Sequence, residues 1–253
     1  MAAARAARIE RSDYEFSPRL GMLYELNDWL SVYGNYTRSF SGNNGVSAAG
    51  ATFDPQKGRQ YEVGFKTESL DKRFSSTIAI FDITKSNLLT DDPNSADPNV
   101  RILAGEMQSK GLEIDITGQV TDKLNLLATY AYTDAKYTQD YNGLKGNRLE
   151  NVPLHQGSLW STYQVNDAFK AGIGVVALGD RDGDNANSFQ MPGYARMDAM
   201  VSYIHPIGKT KMTLQLNVNN LLDKDYYANS SGGRPSIIPG SPRSVLGSLK
   251  LEF

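Results

Sequence analysis

Apolar and polar residues alternate with a period of two along most of the chain, the mark of strands whose two faces meet different surroundings. Leu20, Met22 and Tyr24 alternate with Arg19, Gly21 and Glu25; Tyr61, Val63 and Phe65 with Gln60, Glu62 and Lys66; Leu112, Ile114 and Ile116 with Glu113, Asp115 and Thr117. Met212, Leu214, Leu216 and Val218 then oppose Thr213, Gln215, Asn217 and Asn219, and Val245, Gly247, Leu249, Leu251 and Phe253 oppose Ser244, Ser248, Lys250 and Glu252. Segments 17–25, 29–40, 60–66, 74–85, 107–118, 124–132, 155–165, 169–179, 194–204, 210–221 and 243–253 read as strands, about eleven in all. Segment 74–85 is apolar in part on both faces, with Ala79, Phe81 and Ile83 against Ile80 and Asp82.

The links between strands come in two kinds that alternate. Asn27-Asp28, Leu70-Asp71-Lys72, Thr121-Asp122, Asn166-Asp167 and Pro206-Ile207-Gly208 are tight, whereas segments 41–58, 89–99, 139–153, 180–192 and 223–242 are long and polar. All short links therefore lie at one end of the sheet and all long ones at the other, as in a membrane barrel with short periplasmic turns and long extracellular loops. Strands of roughly 9–12 residues also suffice to cross a bilayer when tilted, whereas soluble strands average about 5–6. A soluble β-sandwich acting as a carbohydrate-binding or other surface module is the alternative, and dependence on detergent separates the two. Tyr24, Trp29, Tyr33, Tyr36, Tyr130, Tyr132, Trp160, Tyr163, Tyr194 and Tyr203 fall near strand ends, where a membrane barrel carries its aromatic girdles.

Composition narrows this without changing it. The 253 residues are 40% hydrophobic and the mean hydropathy is −0.43. No segment approaches the roughly 18 apolar residues of a transmembrane helix, but a barrel with a polar lumen tolerates so low a value. With 26 basic and 28 acidic residues, net charge −2, the chain lacks the basic field that nucleic acid requires. Cysteine is absent, which excludes disulfides and thiolate metal sites.

Several segments resemble one family. NVNNLLDKDYY (217–227) and the closing PGSPRSVLGSLKLEF resemble the last two strands of TonB-dependent outer-membrane receptors. SPRLGMLYELNDWLSVYGNYTRSF (17–40), QYEVGFKTESLDKRFSSTIAIFDITKSNLL (60–89), SKGLEIDITGQVTDKLNLLATYAYTDAKY (109–137) and GNRLENVPLHQGSLWSTYQ (146–164) resemble the ferric-siderophore, ferrichrome-like branch. The resemblance implies an all-β fold, an antiparallel up-and-down transmembrane β-barrel portion supplying about eleven strands of a twenty-two-stranded barrel. Residues 12–253 would be its C-terminal part, entered inside an extracellular loop and without the plug domain. Residues 1–11, MAAARAARIER, lack the apolar stretch of a secretory signal and are expected to be disordered or artefactual. Eleven strands could close on themselves only by parallel pairing of the first and last, so an open wall is expected.

The resemblance further implies an outer-membrane receptor and transporter, not an enzyme. Its cargo would be a ferric siderophore, with no resident cofactor. Its partners would be TonB–ExbB–ExbD through the N-terminal region, the barrel-assembly machinery and outer-membrane lipid, with no nucleic acid. Haem, cobalamin or a sugar are alternative cargoes. By position, Phe40, Phe53, Tyr141, Phe189, Tyr226 and Tyr227 are candidates for stacking on cargo, and Arg101, Lys145, Arg148, Arg181 and Arg234 for attracting an anionic complex. Leu249, Leu251 and Phe253 would form the barrel-assembly signal. Arg19, Glu25, Glu62, Lys66, Glu113, Asp115, Arg196, Asp198, Lys250 and Glu252 are expected to face the lumen and, in a whole receptor, to hold the plug.

Other chemistry is poorly supported. His155 and His205 have no spaced partner for a metal, and no G-x-S-x-G elbow is present. Gly208-Lys209-Thr210 lies in a hairpin turn, not a phosphate loop, and the acidic run at 180–185 fails the EF-hand register.

Overall fold

The computed structural model describes residues 12–43, 47, 52–92, 95 and 100–253, so segment 1–11 lies outside the described residues. Eleven strands form one antiparallel sheet in strict chain order. They are β1 (Arg19–Asn27), β2 (Leu30–Ser41), β3 (Gln56–Glu68), β4 (Phe74–Asp91), β5 (Arg101–Gln119) and β6 (Leu124–Gln139). The remainder are β7 (His155–Gln164), β8 (Phe169–Leu178), β9 (Tyr194–Ile207), β10 (Thr210–Asn219) and β11 (Ser244–Glu252). β1 and β11 do not pair with each other, so the wall is open and each carries one unpaired edge. The ladder groups on those edges need a partner strand, because lipid offers none.

Side-chain chemistry explains the tight links. In each of four, a short polar side chain accepts backbone N–H groups just ahead of it, the local bond that favours a turn. Asn27 Oδ1 accepts from Trp29 N, Asp71 Oδ1 from Arg73 N, Thr121 Oγ1 from Leu124 N, and Asn166 Oδ1 from Ala168 N and Phe169 N. In the fifth, Gly208 supplies φ 61°.

Register sorts the side chains into two faces. Leu20, Met22 and Tyr24 stand opposite Tyr36, Gly34 and Val32; Val32, Gly34 and Tyr36 stand opposite Phe65, Val63 and Tyr61. The same face continues through Ile78, Ile80, Ile114, Leu112, Tyr130 and Tyr132, and ends with Leu214, Leu216, Leu249 and Leu251. It is apolar and solvent-exposed, Met22 at 75% and Val245 at 63%. The opposite face carries all ten residues expected on the lumen side, among them Glu62 beside Asn35, Glu113 beside Ala79, and Asp198 beside Gly174. Among the described residues neither face has a packed core; apart from Ala79, the buried apolar residues cluster toward the long-loop end, with Phe53, Leu88, Tyr137, Phe189 and Met191.

The structure departs from the pattern in two respects. β4, β5 and β6 run past the predicted ends, β4 to Asp91 and β5 from Arg101. The register shifts between Lys85 and Leu88, where Asn87 takes φ 58°. This bulge flips the alternation, so the continuing strand looked like loop. The aromatic residues also divide: Tyr24, Tyr36, Tyr130, Tyr132, Tyr163 and Tyr203 share the apolar face. Tyr33, Trp160 and Tyr194 lie on the polar face and cannot belong to a lipid girdle. Trp160 lies flat over Gly172 and Gly174, where a Cβ would come within 2.9 and 2.1 Å of its ring.

Candidate functional site at the long-loop end

Three long loops interlock. Asn151 donates through Nδ2 to Ser230 O and accepts from Ser230 N, both at 2.8 Å, which ties the β6–β7 loop to the β10–β11 loop. Asn187 Oδ1 accepts from Arg148 N (2.8 Å) and its Nδ2 donates to Arg148 O (2.9 Å), which ties the β8–β9 loop to the β6–β7 loop. Ser230 Oγ donates to Gly183 O, closing the triangle. Two short hairpins, Arg181–Asp182 with Gln190–Met191 and Tyr227–Ser230 with Ile237–Pro239, stiffen these loops internally.

The NNLLDKDYY run anchors this assembly. Asn220 is 1% exposed with φ 52°, a conformation asparagine tolerates better than other side-chain-bearing residues. Its backbone N donates to Asp198 Oδ1, its Nδ2 to Lys224 O and Ser241 O, and its Oδ1 accepts from Lys224 N. Asp223 accepts from Arg243 N, fixing the entry to β11. These bonds deliver Tyr226 to the polar face of the wall.

There Tyr226 packs against Tyr194, ring centroids 4.3 Å apart and planes tilted by 34°. Arg196 Nη1 donates to the Tyr226 hydroxyl (3.2 Å) and Nη2 to Asp198 (2.8 Å). Arg181 lies over the Tyr194 ring at 5.5 Å. A groove of about 520 Å³ opens beside the pair, lined also by Lys224, Asp225 and Tyr227. Gly240 supports it, since a Cβ there would come within 2.2 Å of the Tyr226 ring. Arg181 Nη1 and Arg196 Nε have no hydrogen-bond partner among the described residues.

The predicted site residues separate accordingly. Tyr226 and Tyr227 line the groove. Phe189 is 9% exposed and packs beneath Arg234, whose guanidinium lies 5.3 Å from its ring, and Phe53 is 8% exposed. Both are loop core. Tyr141 is 69% exposed and apart from the groove, and Phe40 shares the apolar face with Lys57 and Tyr36. Arg181 is a correction: at 1% exposure, donating to Tyr227 O and Ala228 O, it braces the loop instead of standing free in it. Arg148 is engaged between loops, Lys145 and Arg234 are exposed, and Arg101 lies at the start of β5. The sequence places Tyr194 among the girdle aromatics and Arg196 among the lumen-facing charges, neither as a cargo candidate, because on a strand their pattern reads as ordinary alternation. Leu249, Leu251 and Phe253 lie at the exposed end of β11, Leu249 and Leu251 opposite Leu214 and Met212.

Other clusters are explained locally. In the acidic 180–185 run, Asp180 accepts from Gly193 N, and Asp184 accepts from Ser188 N and Oγ. The Ser188 hydroxyl holds the Asp184 carboxyl below the usual carboxylate range. In the β3–β4 link, the Ser69 hydroxyl does the same for Asp71. His155 Nδ1 shares a 2.8 Å bond with the Tyr130 hydroxyl. Among the described residues no three His, Asp or Glu side chains gather as for a metal ion, and no helix is long and apolar enough to cross a membrane.

Deeper on the polar face, Glu62 accepts from Tyr33 (2.8 Å) and Gln60 (3.0 Å). Glu113 and Asp115 border a second hollow and form no ion pair among the described residues.

An antiparallel wall of this order, with apolar residues outward, short turns at one end and interlocked loops at the other, is matched by the family model for the TonB dependent receptor-like β-barrel over residues 2–221. The chain belongs to that family. The metal-pseudopaline receptor CntO of Pseudomonas aeruginosa is 39% identical over 254 residues, covering 98% of this chain and 35% of the relative. The ferrichrome outer membrane transporter/phage receptor of Escherichia coli is 36% identical, covering 96% and 33%. Among solved structures, BauA, the ferric preacinetobactin receptor of Acinetobacter baumannii, superimposes with a TM-score of 0.82 at 25% identity, covering 94% of this chain and 36% of that one. The siderophore receptor PiuA from the same organism gives 0.76 at 29% identity, covering 92% and 35%. The chain spans about a third of the length of these relatives. Members of the family are outer-membrane barrels, which makes the apolar face the lipid face.

Proposed function

We propose that this wall is the C-terminal barrel portion of an outer-membrane receptor that imports ferric siderophores, energised by TonB–ExbB–ExbD through a plug domain supplied by chain outside residues 12–253. The observation that carries the reading is the Tyr194–Tyr226 pair, held by Arg196 and lining a groove under three interlocked loops. Aromatic faces together with the Lys224 ammonium on the groove wall suit a flat, anionic metal chelate. The named relatives, receptors for ferrichrome and ferric preacinetobactin among them, support the same class of cargo. Glu113 and Asp115, exposed on the polar face, suit a basic surface of the plug, since carboxylates that a plug covers require cations. The exposed apolar end of β11 suits capture by the barrel-assembly machinery.

The 39% identity to the metal-pseudopaline receptor favours one second reading, a metallophore chelate whose metal need not be iron. Both are tested with the protein expressed from its complete reading frame in an uptake-deficient host. Radiolabelled chelates of iron, nickel and zinc are offered, with Tyr226→Ala and Arg196→Gln as variants. Ferric-siderophore uptake weakened at least tenfold by either variant is expected. Uptake of the nickel or zinc chelate alone selects the second reading, and uptake indifferent to both variants removes the groove from the site.

A further inference from the structure

β10 leaves both of its ladders at Asn219: its last pair with β9 is Val218–Ala199, and its last pair with β11 is Asn219–Ser244. The next residue, Asn220, turns the chain out of the wall at φ 52° and is 1% exposed. A buried backbone N–H outside a ladder needs another acceptor. For Asn220 N that acceptor is a side chain, Asp198 Oδ1 at 2.7 Å. The other oxygen of the same carboxylate accepts from Arg196 Nη2 at 2.8 Å. Both oxygens of Asp198 are thus engaged inside this chain.

Two routes lead from this carboxylate to Tyr226. In the first, Arg196 uses Nη2 on Asp198 and Nη1 on the Tyr226 hydroxyl, so the guanidinium bridges strand and loop. Arg196 and Asp198 share one face of β9 because they are two residues apart. An arginine side chain has many rotamers, and a carboxylate bonded to one edge of its planar fork fixes where the other N–H groups point. In the second route, Asn220 bonds Lys224 at both N and O, two residues before Tyr226. Asp198 itself does not line the groove, which is walled by Tyr194, Lys224, Asp225, Tyr226 and Tyr227. Whatever it contributes there passes through other residues.

We infer that Asp198 is a positioning residue for the groove: its carboxylate aims Arg196 at the Tyr226 hydroxyl and holds the turn at Asn220, so that the Tyr226 ring is set against Tyr194 before cargo arrives. The inference rests on the reading of this groove as the cargo site and adds the residue that builds it.

The test uses the protein expressed from its complete reading frame, purified in a maltoside detergent, with a fluorinated tyrosine at position 226 for fluorine NMR. Asp198→Asn keeps an oxygen for the Asn220 amide and removes the charge that holds Arg196. It is expected to displace or broaden the Tyr226 signal, and so is Arg196→Lys, whose single ammonium cannot reproduce the planar bridge. Asp134→Asn, which removes the ion pair with Lys136 on the outward face, should leave the signal in place. Binding of ferrichrome, ferric preacinetobactin and the nickel chelate of pseudopaline is then titrated. Asp198→Asn should weaken binding of the chelate that wild type takes by about fivefold or more. In a Tyr226→Ala background the same replacement should change binding by less than about twofold, because the Arg196 route ends at Tyr226. A Tyr226 signal indifferent to Asp198→Asn overturns the inference, and so does equal weakening in both backgrounds, which would place the action of Asp198 elsewhere. If Asp198→Asn does not fold, Arg196→Lys is read in its place, and an unmoved signal overturns the inference equally. If no chelate binds, or Tyr226→Ala binds as wild type does, the cargo reading falls and the fluorine signal alone decides whether Asp198 positions the tyrosine.

Discussion

Ile78 and Thr77 are neighbours on β4 that point to opposite faces. Ile78 lies between Phe65 and Ile114 on the apolar face, and Thr77 between Lys66 and Asp115 on the polar one. Ile78 stands four residues from Asp82, which shares an outward row with Lys110 and Asp134, and four from Phe74, where the strand begins. At roughly 3.4 Å per residue and a tilt of about 40°, that places it ~10 Å from either boundary, near the middle of the apolar band. Lysine there is expected to cost about 2–4 kcal/mol, a shift of roughly 30- to 900-fold in the folding equilibrium. At Thr77 the new ammonium faces Asp115 in a wet interior, and the expected cost is below about 1 kcal/mol. Gln108→Lys, on the lipid face but in the cross-strand row of Arg38, Arg59 and Lys136, should likewise cost less than about 1 kcal/mol, because the penalty falls toward the boundary. The assay is urea unfolding of the protein expressed from its complete reading frame and refolded into phosphatidylcholine vesicles, followed by tryptophan fluorescence. Equal costs at Ile78 and Thr77, or a cost at Gln108 matching that at Ile78, would refute the assignment of faces and depth.

Three further outcomes follow from the loop assembly. Asn220→Ala removes three side-chain hydrogen bonds at a buried position with φ 52°, so a loss of about 3 kcal/mol or more is expected, read as a lowered urea midpoint. Gly240→Val should drive Tyr226 off Tyr194 and weaken cargo binding at least tenfold, measured by ligand quenching of fluorescence, while leaving the free energy of unfolding within about 1 kcal/mol of wild type. Asp184 is held below the usual carboxylate range, so its bonds to Ser188 should persist through mildly acid pH and be lost only as pH falls through that lowered value. Protection of the Ser188 amide, taken relative to its intrinsic exchange rate at each pH, checks this; protection lost on acidification already above pH ~5 would contradict it.

Much of the wall was legible because a period of two needs only local information. Each strand's alternation names its faces, and side chains such as Asn166 and Thr121 stop a strand by bonding their own neighbours. The loops were less legible, since hydrogen bonds such as Asn151 to Ser230 join residues far apart in the chain. Phe189 and Arg181 looked like exposed candidates because a loop residue's burial depends on the other loops. Tyr194 read as a girdle aromatic and Arg196 as a plug-holding charge, because position on a strand does not reveal what a distant loop lays over it.

The sequence by itself determined that this chain is a wall of antiparallel strands with one lipid-facing side, for each strand carries its own evidence of two environments. It also determined the family, through motifs such as NNLLDKDYY. Only the tertiary structure decided which charges find partners. Register set Lys110 beside Asp82 but Arg38 beside Arg59, while folding of the loops brought Tyr226 onto Tyr194. The physical reason is that alternation is a property of one strand, whereas pairing and stacking depend on which strands and loops become neighbours.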